Sequence, residues 1–201
     1  MSISRMRRGR AGKVDKNLDA GFYVLAATVS RPALLDGGSD ARFRALVADL
    51  FTISTRMSLV REHLGQRMGI SAPQYSLMVA VAHLQGRNGI SVGGLAQALH
   101  VSSAFVASET GKLARRGLLL KRTNPRDGRG MLLSVAPAGR LAVDRVSTEI
   151  RAVNDLFFGA LDGASFLALS AAASALVRSS SKAVRYIGSV KETQQALRKT
   201  G

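Results

Sequence analysis

Between Ala41 and Arg67 the apolar residues Phe43, Leu46, Val47, Leu50, Ile53, Met57, Val60 and Leu64 return every three or four positions, which predicts one long amphipathic helix. Ser71, with Gln74 three residues on, has the spacing of a capping box. Tyr75, Met78, Val81, Ala82 and Leu84 then predict the core face of a second helix, closed by Gly86 and Gly89. Ser91 caps a shorter helix whose apolar face is Leu95, Ala96 and Leu99. The pattern breaks at His100 and Val101, and Ser102 caps a fourth helix. Here Val106, Thr110 and Leu113 fall on one face, leaving Ala104, Ser108, Gly111 and Arg115 on the other, until Gly117 stops the helix. Residues 118–122, the polar loop TNPRDGRG and residues 131–135 predict a hairpin. Pro125 suits its turn, Asp127 can bind the loop's own amides, and Gly128 and Gly130 relieve strain at the tip. Leu141, Val146, Ile150, Val153, Phe157 and Leu161 then mark a long helix broken at residues 162–165. Leu169, Ala173, Leu176, Val177 and Val184 form the stripe of a last helix.

Charge changes this picture more than composition does. The 201 residues carry 29 Lys and Arg against 13 Asp and Glu, a formal +16, which favours a polyanionic partner. The excess is local: residues 102–140 hold eight basic side chains (Lys112, Arg115, Arg116, Lys121, Arg122, Arg126, Arg129, Arg140) against Glu109 and Asp127. Residues 1–16 carry Arg5, Arg7, Arg8 and Arg10 without apolar period, and read either as a basic arm able to follow phosphates or as a plain solvated tail. The apolar run 20–29 is too short to span a bilayer, and Asp15 and Asp19 interrupt the positive flank a signal peptide needs. It predicts an added helix or strand, ended by Pro32 and the pair Gly37 and Gly38. The segment from residue 190 is polar and expected to fray.

Several chemistries are disfavoured. The absence of cysteine removes disulfides, thiolate zinc sites and cysteine redox sensing. His63, His83 and His100 are far apart and make no metal-ligand spacing, and no nucleophile stands beside a base, so binding without turnover and without a cofactor is expected. Three long helices around so small a unit leave surplus apolar surface, which points to self-association, or else to a bundle within one chain.

The stretch VSSAFVASETGKLARRGLLLKR, followed by NPRDGRGMLLSVAPAG, resembles the winged helix-turn-helix of the multiple antibiotic resistance regulator (MarR) family. The family's valine-serine turn falls on Val101 and Ser102, its Gly-Leu helix end on Gly117 and Leu118, and its wing Asp-x-Arg on Asp127 and Arg129. Its Thr-x-x-Gly falls on Ala136 to Gly139, and the likeness extends over roughly residues 41–190. There are departures. Ala136 replaces a capping threonine, Glu109 stands where the family usually has an apolar residue, and Ala107 and Ser108 replace positions that often carry threonine and arginine.

The resemblance implies a mainly α fold with a small β wing, a winged helix-turn-helix flanked by long dimerisation helices. It divides the chain into a basic extension (1–40), an N-terminal dimerisation helix (41–70), the DNA-binding domain (71–139), C-terminal dimerisation helices (140–190) and a polar tail (191–201). It implies a bacterial, cytoplasmic homodimer that binds a near-palindromic double-stranded operator as a transcriptional regulator, a repressor released by a small aromatic or anionic ligand. Base readout falls to Ser103, Ala104, Phe105, Ala107 and Ser108, and phosphate contacts to Ser102, Lys112, Arg115, Arg122 and Arg126. Arg129, supported by Asp127, would enter the minor groove. Met57, Arg61, Leu64, Tyr75 and His83 would border a ligand crevice. The competing expectation is a non-specific architectural DNA binder, which would use the same charge without operator preference.

Overall fold

A computed structural model of the chain describes residues 25–125 and 127–200. The basic arm with Arg5, Arg7, Arg8 and Arg10, residues 20–24 of the apolar run, and Arg126 lie outside the described residues. The chain divides into two units, with Met57 the first residue of the second.

In the first unit, residues 25–29 form neither the helix nor the strand expected of the apolar run. The segment is held instead by polar contacts from Thr28. A single 3-10 turn, Pro32–Leu34, leads to Gly37 and Gly38, both at positive φ, and the chain turns back so that Asp36 and Ser39 pair. It then enters helix α1 (Ala41–Arg67), as the periodicity predicts. The buried Asp40 is the clasp. Its carboxylate accepts from the Thr28 amide at 2.7 Å and the Thr28 hydroxyl at 2.8 Å, and from the Arg44 guanidinium one turn on.

The second unit runs α2 (Ala72–Leu84), β1 (Ile90–Ser91), α3 (Val92–Leu99), α4 (Ser103–Arg115), β2 (Leu119–Asn124), β3 (Asp127–Val135), α5 (Pro137–Phe157) and α6 (Gly163–Thr200). The capping box of α2 forms as predicted, with Ser71 and Gln74 each accepting from the other's amide. The core gathers Leu64 and Ile70 with Leu77, Met78 and Val81 of α2, Leu95 of α3, Val106 and Leu113 of α4, and Leu119 and Leu133 of the sheet. Ala82 and Leu84 are exposed, against expectation, because the buried face of α2 runs through Gln74, Leu77, Met78 and Val81.

The sheet is antiparallel, in the order β1-β3-β2. Its third strand, β1, has no signal in the sequence, being two residues pairing Ile90 with Leu133 and Ser91 with Leu132. Gly89 permits it: at φ +79°, a β-carbon there would stand 2.8 Å from the Leu133 carbonyl oxygen. The wing also differs from the expected long polar loop. Asp127 to Gly130 lie within β3, Thr123 pairs with Met131 and Asn124 with Asp127, and the three residues 128–130 between those partners are taken up by a register shift at Thr123 and Asn124. Helix α5 starts at Pro137 behind Ala136, which makes no side-chain cap, and ends at Phe157, so Leu161 lies beyond it. Leu141 points to solvent. The polar stretch 191–200 is not frayed backbone but the last turns of α6.

Held by the Thr28 amide first, then by its hydroxyl and by Arg44, the Asp40 carboxyl is lowered to about 2. A depressed folded-state value means that its contribution is complete above the ordinary aspartate value and lost as pH falls through the folded one. The protection factor of the Thr28 amide, its intrinsic exchange rate over the measured one at each pH, should therefore fall between pH 4 and pH 2 in the wild type, and already be low at pH 6 in Asp40→Ala. Gly139 carries a packing constraint of a different kind: a β-carbon there would lie 2.1 Å from the Leu118 carbonyl oxygen and 2.8 Å from Met78. Gly139→Ala should cost about 1–3 kcal/mol or more in urea unfolding.

Candidate nucleic-acid interface

The helix-turn-helix is set by three caps. Ser91 accepts from the Gly94 amide at 3.0 Å and starts α3. His100, at φ 54°, ends it in the left-handed region, where the Val101 amide returns to the Ala96 carbonyl at 3.1 Å. Ser102 then accepts from the Phe105 amide at 3.2 Å and starts α4 in a new direction. At the other end Gly117, at φ 71°, lets the Leu118 amide reach the Leu113 carbonyl and turns the chain into β2.

This framing decides which side chains of α4 are available. Val106, Thr110 and Leu113 are fully buried, and the Thr110 hydroxyl donates to the Val106 carbonyl of its own helix at 2.6 Å. Ser103, Ala104, Ala107, Ser108 and Arg115 are exposed, and Gly111 is half-buried among them. Phe105, 39% exposed, has a second neighbourhood: with Leu99 and Val101 it walls a cavity of about 360 Å³ that also meets Ser58, Arg61, Ala72, Pro73, Ser76 and Leu77.

The cations are less uniform than the sequence implied. Arg115 stands on the outer face with its guanidinium over Gly111. Lys112 is drawn to Glu109, Nζ to Oε1 at 2.5 Å, and the other Glu109 oxygen accepts from the Gln74 amide nitrogen at 3.0 Å. The Lys112 bond first, and Gln74 after it, hold the Glu109 carboxyl below the usual range. Arg122 donates to the Asn88 carbonyl at 2.5 Å and Arg116 to the Gly69 carbonyl at 2.6 Å, so both brace loops. Asp127 and Arg129 have their backbone in β3, while their side chains, like Arg126, lie outside the described residues.

Of the five crevice residues, Met57, Arg61, Leu64 and Tyr75 line a cavity of about 130 Å³ with Val60, Val153, Asn154, Phe157 and Phe158. His83 is exposed on α2 and does not line it. Burial pushes the Tyr75 hydroxyl up from its ordinary value. The larger cavity was missed because its walls come from four helices, α1, α2, α3 and α4, and the turn at Val101, and no single stretch carries its pattern. Also unforeseen is the clasp of α5 on α1, where Glu149 meets His63 Nε2 at 2.6 Å and Arg67 Nε at 3.1 Å. Those partners lie more than eighty residues apart in sequence. Among the described residues no helix is long and apolar enough to cross a membrane, and no three His, Asp or Glu gather as a metal site.

No protein-family model matches the chain, and no curated protein matches it. Solved structures do. The transcriptional regulator SlyA is 13% identical with a TM-score of 0.60, covering 71% of this chain and 98% of its own. A MarR transcriptional regulator from Methanosarcina mazei Go1 is 13% identical with a TM-score of 0.57, over 69% of this chain and 98% of its own. A complex of S. aureus MepR with DNA is 16% identical with a TM-score of 0.56, over 66% of this chain and 96% of its own. The chain thus has the fold of MarR-type regulators, mainly α with a small β wing, as the resemblance of residues 101–139 implied.

Removing the cap that aims α4 should be felt in stability. Ser102→Ala is expected to cost about 1 kcal/mol in urea denaturation, while Ser103→Ala, exposed and one residue on, should leave the midpoint unchanged.

Proposed function

We propose that the protein is a transcriptional regulator that binds double-stranded DNA as a homodimer, acting as a repressor released by a small ligand, and that it is not an enzyme. The observation that carries this reading is the two-sided character of α4. One face is buried, and the other is a row of small and polar side chains able to approach base edges closely. In this reading Ser103, Ala104, Ala107 and Ser108, with Phe105 at their edge, read bases. Ser102, Arg115, Arg122 and Arg126 serve the phosphates, while Lys112, expected among them, is held by Glu109 instead; Arg129 with Asp127 serves the minor groove. The MepR structure, solved with DNA, supports the same use of this fold.

Dimerisation is supported by α6, which leaves Phe166, Leu169, Leu176, Val184 and Ile187 at least 47% exposed along one helical stripe. Sedimentation should give twice the 21.3 kDa chain mass, and Leu176→Glu should give monomers that keep their far-UV spectrum. Ligand release is supported by Arg61, a cation bordering both cavities, with Phe105 and Val101 in the larger one at the start of α4. A small aromatic acid bound there would bear directly on the first turn of α4.

Binding to labelled duplex from upstream of the protein's own gene, against a scrambled duplex at two salt concentrations, tests the reading. Preference for the upstream fragment that persists at the higher salt is the expected result. Equal affinity for both, falling steeply with salt, would mean the architectural use instead, for which the +16 charge is the supporting observation. Arg129→Ala should weaken the preferred duplex about tenfold without lowering the unfolding midpoint, and unchanged affinity would remove the wing from the mechanism.

A further inference from the structure

Of the two acidic side chains between Ser102 and Arg140, Glu109 lies on the helix assigned to base reading. It is only 14% exposed, and both its oxygens are engaged. A chain of contacts runs through it. The Ser71 amide donates to Gln74 Oε1 at 3.2 Å, Gln74 Nε2 donates to Glu109 Oε2 at 3.0 Å, and Lys112 Nζ donates to Glu109 Oε1 at 2.5 Å. Gln74 thus uses its oxygen to cap α2 and its nitrogen to hold the carboxylate on α4. At about 100° per residue, Ala104, Ser108, Gly111 and Arg115 make the outer row of α4. Glu109 falls between that row and the buried face, and Lys112 falls on the same flank as Glu109. The ammonium is therefore pulled sideways toward the start of α2, away from the row that would face a duplex.

We propose that Glu109 is a specificity-setting counter-charge: anchored by Gln74, it occupies Lys112 so that this lysine does not neutralise a DNA phosphate, and sequence-independent affinity is lower by one contact. The proposal rests on the DNA-binding reading of α4. Its logic is that phosphate contacts add affinity equally on every sequence, whereas base contacts add it only on the right one. In a chain of formal charge +16, non-specific attraction is already large. Withdrawing one cation beside the base-reading row raises the ratio of specific to non-specific binding without altering a base contact. Glu109 acts through Lys112, so it is a positioning residue.

The test is the salt dependence of binding to a random-sequence duplex, which needs no knowledge of the operator. Four full-length proteins are compared: wild type, Glu109→Gln, Lys112→Ala and the double variant. Each phosphate neutralised steepens the plot of log K against log salt by about 0.9. Glu109→Gln, close in shape and still able to bond Gln74, should bind more tightly at low salt with a slope steeper by about that amount. Lys112→Ala alone should leave the wild-type slope nearly unchanged, and in the double variant the gain should disappear. A merely structural role for Glu109 would lower the melting temperature and leave the slope alone. The proposal is overturned if the slope of Glu109→Gln equals that of the wild type. It is equally overturned if the gain survives in the double variant, or if Lys112→Ala alone loses a full contact. The last readout holds even where Glu109→Gln does not fold. No binding of any duplex by the wild type at low salt would instead bring down the DNA-binding reading, and this inference with it.

Discussion

The arrangement depends on how α4 is buried. Val106, Thr110 and Leu113 meet the core with no exposed surface, and three caps, at Ser91, His100 and Ser102, set the direction from which the helix arrives. Burying a threonine is costly unless its hydroxyl is satisfied. Thr110 meets this within its own helix, so its hydroxyl needs no polar partner from the core. With the inner face spoken for, the outer face follows from helical geometry alone. The small residues there are available because the large ones are committed elsewhere.

A second constraint sets the close approach of the sheet and the start of α5. Gly139 lies against the Leu118 carbonyl, Met78 and Val135, so the first turn of α5 sits closer to the sheet than a side chain there would allow. Ala136 contributes no side-chain cap at this junction, and the helix start rests on Pro137 and on the Ala136 amide bonded to the Leu118 carbonyl at 3.0 Å. Gly89 does the same for the third strand against Leu133. Both glycines are needed for close approach. The braces from Arg122 to Asn88 and from Arg116 to Gly69 then fasten loops that these approaches bring together.

Local chemistry was legible in the sequence, and long-range pairing was not. The bounds of α1, the capping box at Ser71, the caps of α3 and α4, the stop at Gly117 and the buried trio of α4 all depend on residues within one or two turns of each other. The two-residue strand β1 has too few positions to show a period, and the depth of the wing strands was hidden because Gly128 and Gly130 read as turn residues. Ala82 and Leu84 looked like core by type but fall off the face that α2 buries. At the site, the exposed row of α4 was readable from spacing. Which cations are already occupied was not: Lys112 and Arg122 look alike in the chain, yet one is held by a carboxylate and the other by a backbone carbonyl. The larger cavity, built from four helices and a turn, had no sequence signature either.

Selection of binding sites from random duplexes by the wild type and by Ser108→Arg tests the reading of base sequence by the outer row of α4. The wild type should enrich one motif with two related halves centred about 10 base pairs apart. Ser108→Arg should change the preferred base at one position in each half while the spacing stays the same. Enrichment of no motif, or of one that Ser108→Arg leaves unaltered, would contradict it.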